Sequence, residues 1–372
     1  MKSASMNTDV LVIGGGPAGL SAAIAARLKG FRVAVVETAH PPIDKSCGEG
    51  LMPEGVAGLR QLGIELRAED GFAFRGLRFA DERTSVEAKI EHGTGFGVRR
   101  TTLHRLLVER AAQVGVEFEW GARASVFRHG EIVAAGKRIA YRWLVGADGW
   151  NSAVQRWAGL VPRRAPHSRY GFRKHFAISP WSDSVEVHWR GSFQIYITPT
   201  TASEVCVSAI SDDPALRVDG ALACVPALAE KIVSAPPCSA ERGGVTALRT
   251  LRRVTRENVA LVGDASGTVD AVAGQGLALA VQQAICLADA LERGELSSYG
   301  AAHREMMQTP VRMTRLLLWM GRNPRIRRRI LRLLADRPRL FEKMLAIHTG
   351  APAHTRAGAG ELLGIAREML RP

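Results

Sequence analysis

The sequence predicts an α/β protein: a parallel-sheet domain assembled from separate stretches of chain, an inserted antiparallel sheet, and a helical C-terminal tail. Three observations carry this. An apolar strand, a glycine loop, a helix and a second strand follow one another between Val10 and Glu37. From Tyr170 to Ser211 the pattern turns to longer alternating segments, as half-buried antiparallel strands require. A buried strand ending in glycine and aspartate then returns at Val259–Asp264, ahead of another helix.

In the opening stretch, Val10 to Ile13 reads as a buried parallel strand, and Gly14 to Gly19 supplies G-x-G-x-x-G. Ala18 to Lys29 reads as a helix closed by Gly30. Gly14 permits a tight turn, Gly16 lets the backbone approach a pyrophosphate, and Gly19 allows close helix–strand packing. The helix N-terminus points unpaired N–H groups at phosphates. The next strand, Arg32 to Val36, ends in Glu37, an acid placed to accept ribose hydroxyls. Glycines alone are common; strand, loop, helix, strand and acid at this spacing mark a dinucleotide site.

At 372 residues the chain is long enough for two domains and an appendage, and 46% hydrophobic content is ordinary for a soluble protein. No apolar run is long enough to span a bilayer, and Met1 to Thr8 lacks a signal-peptide core, so a cytoplasmic protein is expected. Five cysteines without repeated close spacing argue against a disulfide framework and against a zinc site. The net charge of +14 comes without a nucleic-acid motif, so no nucleic-acid partner is expected; a basic surface equally suits NADPH, an acidic substrate or an anionic membrane face.

Beyond Glu37, a loop leads into Ser46-Cys47-Gly48-Glu49-Gly50-Leu51-Met52-Pro53, and Pro53 opens a short helix stopped at Gly63. Cys47 between glycines fits either a backbone pressed against a flat group or a small buried hydrophobe in a tight turn. No second cysteine follows until Cys206, so dithiol chemistry at this loop is not expected. Phe72 to Ile90 alternates like antiparallel strands, and a helix runs to about Val114 on a face of Leu103, Leu106, Leu107 and Ala111. Strands follow at Val116–Trp120, Ala124–Arg128 and Glu131–Ala135, then an apolar strand ending in Asp148-Gly149. Gly171–Ile178, Val185–Trp189, Gln194–Ile197 and Val205–Ile210 make the antiparallel sheet. Gly274-Gln275-Gly276-Leu277 opens a helix through Leu291. The tail, roughly Pro310 to Ile347, is basic and helical, with breaks at Asn323-Pro324 and Arg337-Pro338. There Ile326, Ile330, Leu333 and Leu334 form an apolar stripe, fit either to dock on the body or to lie at a lipid interface.

Taken together, the opening loop with Glu37, Asp148-Gly149, and Gly263-Asp264 with Gly274-x-Gly276 resemble the FAD-dependent monooxygenases of the para-hydroxybenzoate hydroxylase type and their relatives the geranylgeranyl reductases. The resemblance covers about residues 9 to 295. It implies a discontinuous Rossmann-like FAD-binding domain (1–75, 98–162 and 250–295), an antiparallel-sheet substrate domain (76–97 and 163–249) and a basic helical region (296–372). It also implies FAD contacts from Gly14, Gly16, Ala18 and Gly19 at the pyrophosphate and from Glu37 at the ribose. Arg100 would reach the FAD chain, Ala124 the adenine, Asp148 the pyrophosphate, and Asp264 the ribityl or pyrophosphate portion. Gly274, Gly276 and Leu277 would set a helix N-terminus beside the isoalloxazine, where it stabilises the reduced, anionic ring. Cys47, Gly48 and Gly50 look like the Cys-Gly-rich loop of the geranylgeranyl reductases. The chain departs from the hydroxylases where Ser266 and Gly267 follow Ala265 and where Ala271 replaces a proline.

By this resemblance, the expected activity is an NADPH- or NADH-dependent monooxygenase that hydroxylates an aromatic or polyketide-like small molecule through a flavin C4a-hydroperoxide. Cys47, Arg173, His175 and Tyr196 are the polar candidates at the substrate. The alternative is a flavoenzyme that reduces isoprenoid or lipid C=C bonds, with Cys47 near the substrate and the tail near lipid. A third reading is a flavin-binding protein without turnover. The expected partners are an apolar or aromatic small molecule and, through the basic helices, the periphery of a membrane.

Overall fold

The computed structural model describes residues 5–162 and 167–350; of the basic region expected over 296–372, residues 351–372 lie outside the described part. The main sheet runs in the order Thr255–Arg256, Val259–Leu261, Lys137–Gly146, Ser5–Ile13, Val33–Glu37, Glu117–Trp120. Its centre is parallel, with Val10 opposite both Trp143 and Val33. Val10, Leu11 and Val12 are fully buried, which explains an uninterrupted apolar run where alternation would otherwise appear. A β-meander of Ala124–Arg128 and Glu131–Ala134 extends the early half of Lys137–Gly146.

The helices are α1 (Pro17–Leu28), α2 (Pro53–Gln61), α3 (Arg100–Gln113), α4 (Ala153–Trp157), α5 (Val218–Ala223), α6 (Pro226–Ile232), α7 (Gly276–Glu292), α8 (Leu296–Arg322), α9 (Pro324–Asp336) and α10 (Pro338–His348). Helix α1 packs on α7 and α3, and α7 also carries α2.

The second large sheet has seven strands, ordered Arg242–Thr246, Arg169–Phe176, Glu204–Ser211, Phe193–Thr201, Ser184–Arg190, Gly76–Ala80, Ser85–Lys89. It is antiparallel with one exception: Ser184–Arg190 pairs parallel to Gly76–Ala80, because the outer hairpin arrives from an earlier part of the chain. The alternating run from Phe72 to Ile90 is therefore split. Gly76–Ala80 and Ser85–Lys89 edge this sheet, while Phe72–Phe74 joins Gly95–Gly97 and Gly50–Leu51 in a small sheet beneath it.

The tail differs from expectation at its start. Pro310 lies inside α8, buried, rather than opening the helical region at its N-terminus. On α9 the buried residues are Arg327, Ile330, Leu331 and Leu334, so its apolar stripe is turned onto the protein, with Arg327 buried beside it, while Arg325, Arg329 and Arg332 are exposed. Helices α8, α9 and α10 pack on one another, and α9 and α10 lie against Ser85–Lys89. No helix among the described residues is long and apolar enough to cross a membrane.

Candidate active site

A cavity of about 360 Å3 lies where the two large sheets and the C-terminal helices meet. One end is built from the parallel-sheet loops. Gly14 has φ +111°, and a Cβ there would sit 2.3 Å from the Ala147 carbonyl oxygen, so only glycine turns the chain this close to the neighbouring strand. Gly16 is the N-cap of α1, Pro17 opens the helix, and no side chain caps it. The first-turn N–H groups of α1 are thereby left for a ligand at the cavity wall formed by Gly16, Pro17 and Ala18.

Glu37 holds that loop from the far side. Its Oε2 accepts the Gly15 N–H at 2.7 Å, and its Oε1 accepts the Ala39 N–H at 2.9 Å. These backbone donors and the Thr38 hydroxyl outweigh partial burial and hold the carboxyl below its usual range.

Arg100, at the start of α3, projects towards Gly16 and lines the cavity, and its Nε is buried with no partner. Lys45, absent from the sequence-based site, lines the same wall. Asp264 faces this pair, and burial pushes its carboxyl up despite the nearby Arg100, Lys45 and Arg249 cations. The Asp264 loop is fixed from behind. Gln283 accepts the Gly263 N–H at 2.7 Å, and Gln155 Nε2 donates to the Ala265 carbonyl at 2.6 Å. Arg249 donates to the carbonyl oxygens of Trp150 and Asp264, tying the two Gly/Asp loops together.

Asp148 itself does not face the cavity. Its carboxylate accepts the Ser152 hydroxyl and the N–H groups of Ala153 and Val154, capping α4, and Gly149 and Trp150 form the wall instead. The signal for this was Ser152, an N-cap residue whose Oγ accepts the Gln155 N–H at 2.9 Å. Ala124 starts its strand outside the residues that line the cavity.

At the other end, Gly274, Gln275, Gly276 and Leu277 line the cavity as expected for the start of α7, which no side chain caps. This loop is held by the C-terminal helix, a contact that sequence reasoning missed. Gln275 Nε2 donates to the His348 carbonyl, and His348 Nε2 donates to the Ala273 carbonyl at 2.9 Å. Desolvation pushes His348 down to about 4, so it stays neutral and keeps that bond.

Beyond the glycines the cavity is mainly apolar, with the hydroxyl-bearing Tyr196, Thr198, Ser208, Thr246 and Thr268 among its lining. Phe74, Leu77, Phe79, Val185 and Val187 come from the sheets; Leu317, Met320, Ile330, Leu334, Phe341 and Leu345 come from α8, α9 and α10. The helices that read as a tail are thus one wall of the site.

The polar candidates are drawn together, and apart from the buried, unpartnered Arg173 Nε their polar atoms are engaged. Glu49, at φ +60° and almost wholly buried, accepts the Arg100 N–H at 2.9 Å through Oε1 and bonds His175 Nε2 at 2.5 Å through Oε2. The other His175 nitrogen meets the Ser239 hydroxyl at 2.8 Å. Arg173 pairs with Asp44 and lies 3.8 Å from Glu49. Tyr196 donates its hydroxyl to the Val272 carbonyl at 2.8 Å, and burial raises its pKa. Cys47 lines the cavity with its Sγ accepting the Glu49 N–H at 3.3 Å; desolvation pushes its thiol up, so it is no ready nucleophile. Glu49, His175 and Cys206 bring three donor atoms within 4.8 Å of one another. The Arg173 guanidinium already supplies positive charge there, and hydrogen bonds occupy Glu49 and both His175 nitrogens.

An extended dinucleotide fits along this cavity from the α1 loop to the α7 loop. The Arg100 donor is orphaned, the starts of α1 and α7 are uncapped, and a Cβ added at Gly48, Gly149 or Gly276, all lining residues, would meet nothing within 4 Å.

Known proteins agree with that fit. The family model described as "FAD binding domain" matches residues 7–209. A menaquinone reductase of Mycobacterium tuberculosis is 35% identical over 164 residues, 41% of this chain, and the chain spans only 40% of that protein's length. Digeranylgeranylglycerophospholipid reductase 1 of Methanopyrus kandleri is 27% identical over 73% of this chain and 77% of its own. Among solved structures, a probable FAD-dependent monooxygenase from Pseudomonas aeruginosa superposes with a TM-score of 0.71 at 21% identity, covering 85% of this chain and 94% of that one.

Proposed function

This chain belongs to the FAD binding domain family, and on that premise we propose that it is a FAD-dependent oxidoreductase that reduces C=C bonds of a long apolar, prenyl-like substrate, with NADPH or NADH as the reductant. The observation that carries this reading is the apolar part of the cavity, walled by Leu317, Met320, Ile330, Leu334 and Phe341 of the C-terminal helices and by Phe74, Leu77 and Phe79. Such a wall suits an extended hydrocarbon, whose transfer from water is favourable by about 0.8 kcal/mol per buried methylene.

Hydroxylation of a phenol asks for something else, a polar group free to orient and deprotonate the ring hydroxyl. Here Arg173 and His175, paired with Asp44, Glu49 and Ser239, are outside the residues that line the cavity, and Tyr196 donates its hydroxyl to Val272. That favours reduction over the monooxygenation expected from sequence. The relatives named as reductases of menaquinone and of a prenyl lipid support the same choice.

When bound, FAD would supply the two-electron chemistry, relaying a hydride equivalent from the nicotinamide to one carbon of the double bond, while the other carbon takes a proton drawn ultimately from solvent. The chain does the rest. Gly16 to Ala18, Arg100 and Lys45 hold the phosphates, and Asp264 stands beside them for a hydroxyl. The α7 N-terminus favours negative charge at the ring end of the cavity. The apolar walls exclude water and align the substrate chain.

Anaerobic turnover with NADPH and a geranylgeranyl lipid, followed by mass spectrometry, tests this. Addition of two hydrogens per double bond is expected. Oxygen uptake in step with NADPH oxidation, with an oxygen atom in the product, would establish the monooxygenase instead.

A further inference from the structure

We propose that the outward face of α8 and α9 docks on an anionic lipid bilayer. On α8, Arg312, Arg315, Trp319 and Arg322 are all exposed, and their spacing of three, four and three residues places them on one stripe. Trp319 is 42% exposed, the one large aromatic among the exposed hydrophobic residues described. Arg325 and Arg332 on α9 and Arg339 on α10 continue the exposed positive surface. Between residues 304 and 343 the sequence carries twelve Arg and Lys against three acids. None of Arg312, Arg315, Arg322, Arg325 and Arg332 has an acidic partner among the described residues.

Charge of one sign, left without internal partners, is relieved by an extended polyanion. Two features select a bilayer over a nucleic acid. A tryptophan within an arginine stripe matches the headgroup level, where an indole meets both water and hydrocarbon. The same helices carry the apolar cavity wall on their inner side, through Leu317, Met320, Ile330 and Leu334. A bilayer on the outer face therefore lies about one helix diameter, roughly 10 Å, from the apolar cavity. Since the apolar stripe of α9 is turned inward, attachment is electrostatic, with Trp319 as the anchor. It does not depend on which reaction the flavin site performs.

The test uses the full chain loaded with FAD and co-sedimented with vesicles of phosphatidylcholine containing one-third phosphatidylglycerol, or of phosphatidylcholine alone. Binding to the anionic vesicles is expected at about 0.1 M salt and release at about 0.5 M, as screening shortens the reach of the arginines. The triple variant R312E/R315E/R322E should lower the partition coefficient by more than about a hundredfold, with flavin absorbance and melting temperature unchanged. The pair R325E/R332E on a separate helix repeats the test should the triple variant misfold. Equal binding to both vesicle types, no binding to either, or full binding by both charge-reversed variants overturns the proposal. So does an RNA duplex that displaces the protein from anionic vesicles at equal charge. Reduction of a detergent-dispersed substrate is read without vesicles, so failure of the docking and failure of the proposed reaction remain separate results.

Discussion

Glu49 Oε2 and His175 Nε2 lie 2.5 Å apart, joining the loop ahead of α2 to the second strand of the second large sheet across 126 positions of sequence. The pair is buried, and Arg173 lies beside it. Removing one partner of such a pair strands the other in a low-dielectric interior. Glu49→Gln keeps the shape and removes the charge, and it should cost about 3 kcal/mol. A urea denaturation midpoint that falls without a change in slope checks this; an unchanged midpoint would show that the bond adds nothing.

Arg100 is the cation with an unsatisfied donor at the dinucleotide end of the cavity. A hydrogen bond to a charged group is worth about 1.5–3 kcal/mol, so Arg100→Met should weaken FAD binding by about tenfold to a hundredfold. Recovery of flavin fluorescence on dilution measures the loss. Asp148→Asn should act differently. It weakens the cap of α4, so thermal stability should drop by about 1 kcal/mol while FAD affinity changes less than in the Arg100 variant.

The apolar wall gives a prediction about length. Leu334→Trp narrows the cavity where α9 faces it. The rate with a geranylgeranyl substrate should fall by about tenfold relative to that with a geranyl substrate, a difference of about 1.4 kcal/mol. Equal losses on both would place the substrate elsewhere.

Two buried groups near the α7 loop oppose each other in pH. Desolvation pushes the Glu54 carboxyl up to about 7, with Oε2 unpartnered, and pushes His348 down to about 4. Glu54 is easier to keep protonated in the folded state, so its contribution worsens as pH rises from its ordinary 4.5 to about 7. His348 is easier to keep neutral, so its contribution is intact above its ordinary 6.5 and is lost as pH falls towards 4. Each is worth at most about 3 kcal/mol. Between about pH 5 and 7 the two nearly cancel. Glu54→Gln should therefore give a melting temperature that falls on acidification, and His348→Gln one that rises. Thermal melts of both variants against pH decide it; parallel slopes would refute the opposition.

The glycine loop and the start of α7 were legible because each is local: strand, turn and helix sit within one short stretch. Glu37, expected at a ribose, instead gives its carboxylate to the Gly15 and Ala39 N–H groups and is outside the residues that line the cavity. The antiparallel sheet was legible through its period of two. What could not be read depends on distant partners. Glu49 stood in a recognisable Cys-Gly-rich loop, yet its work is set by His175 and Arg173. Asp148 was read as a cofactor contact, but the backbone of α4 claims its carboxylate. The C-terminal helices carried an amphipathic pattern that says which face is buried, never what lies against it. Their share of the cavity wall, through Leu317, Ile330 and Phe341, belongs to tertiary packing alone.

Gly16 and His348 line one cavity, so the first and last described helices complete the same chamber. During synthesis at about 5–20 residues per second, the glycine loop leaves the ribosome tens of seconds before α10 is made. For that interval the nascent chain presents a dinucleotide cradle with an open apolar flank. A transcript cut short before Pro338 should yield a product that holds flavin loosely and seeks chaperones. Closure of the cradle thus waits on the last described helix, the part whose sequence says least about flavin.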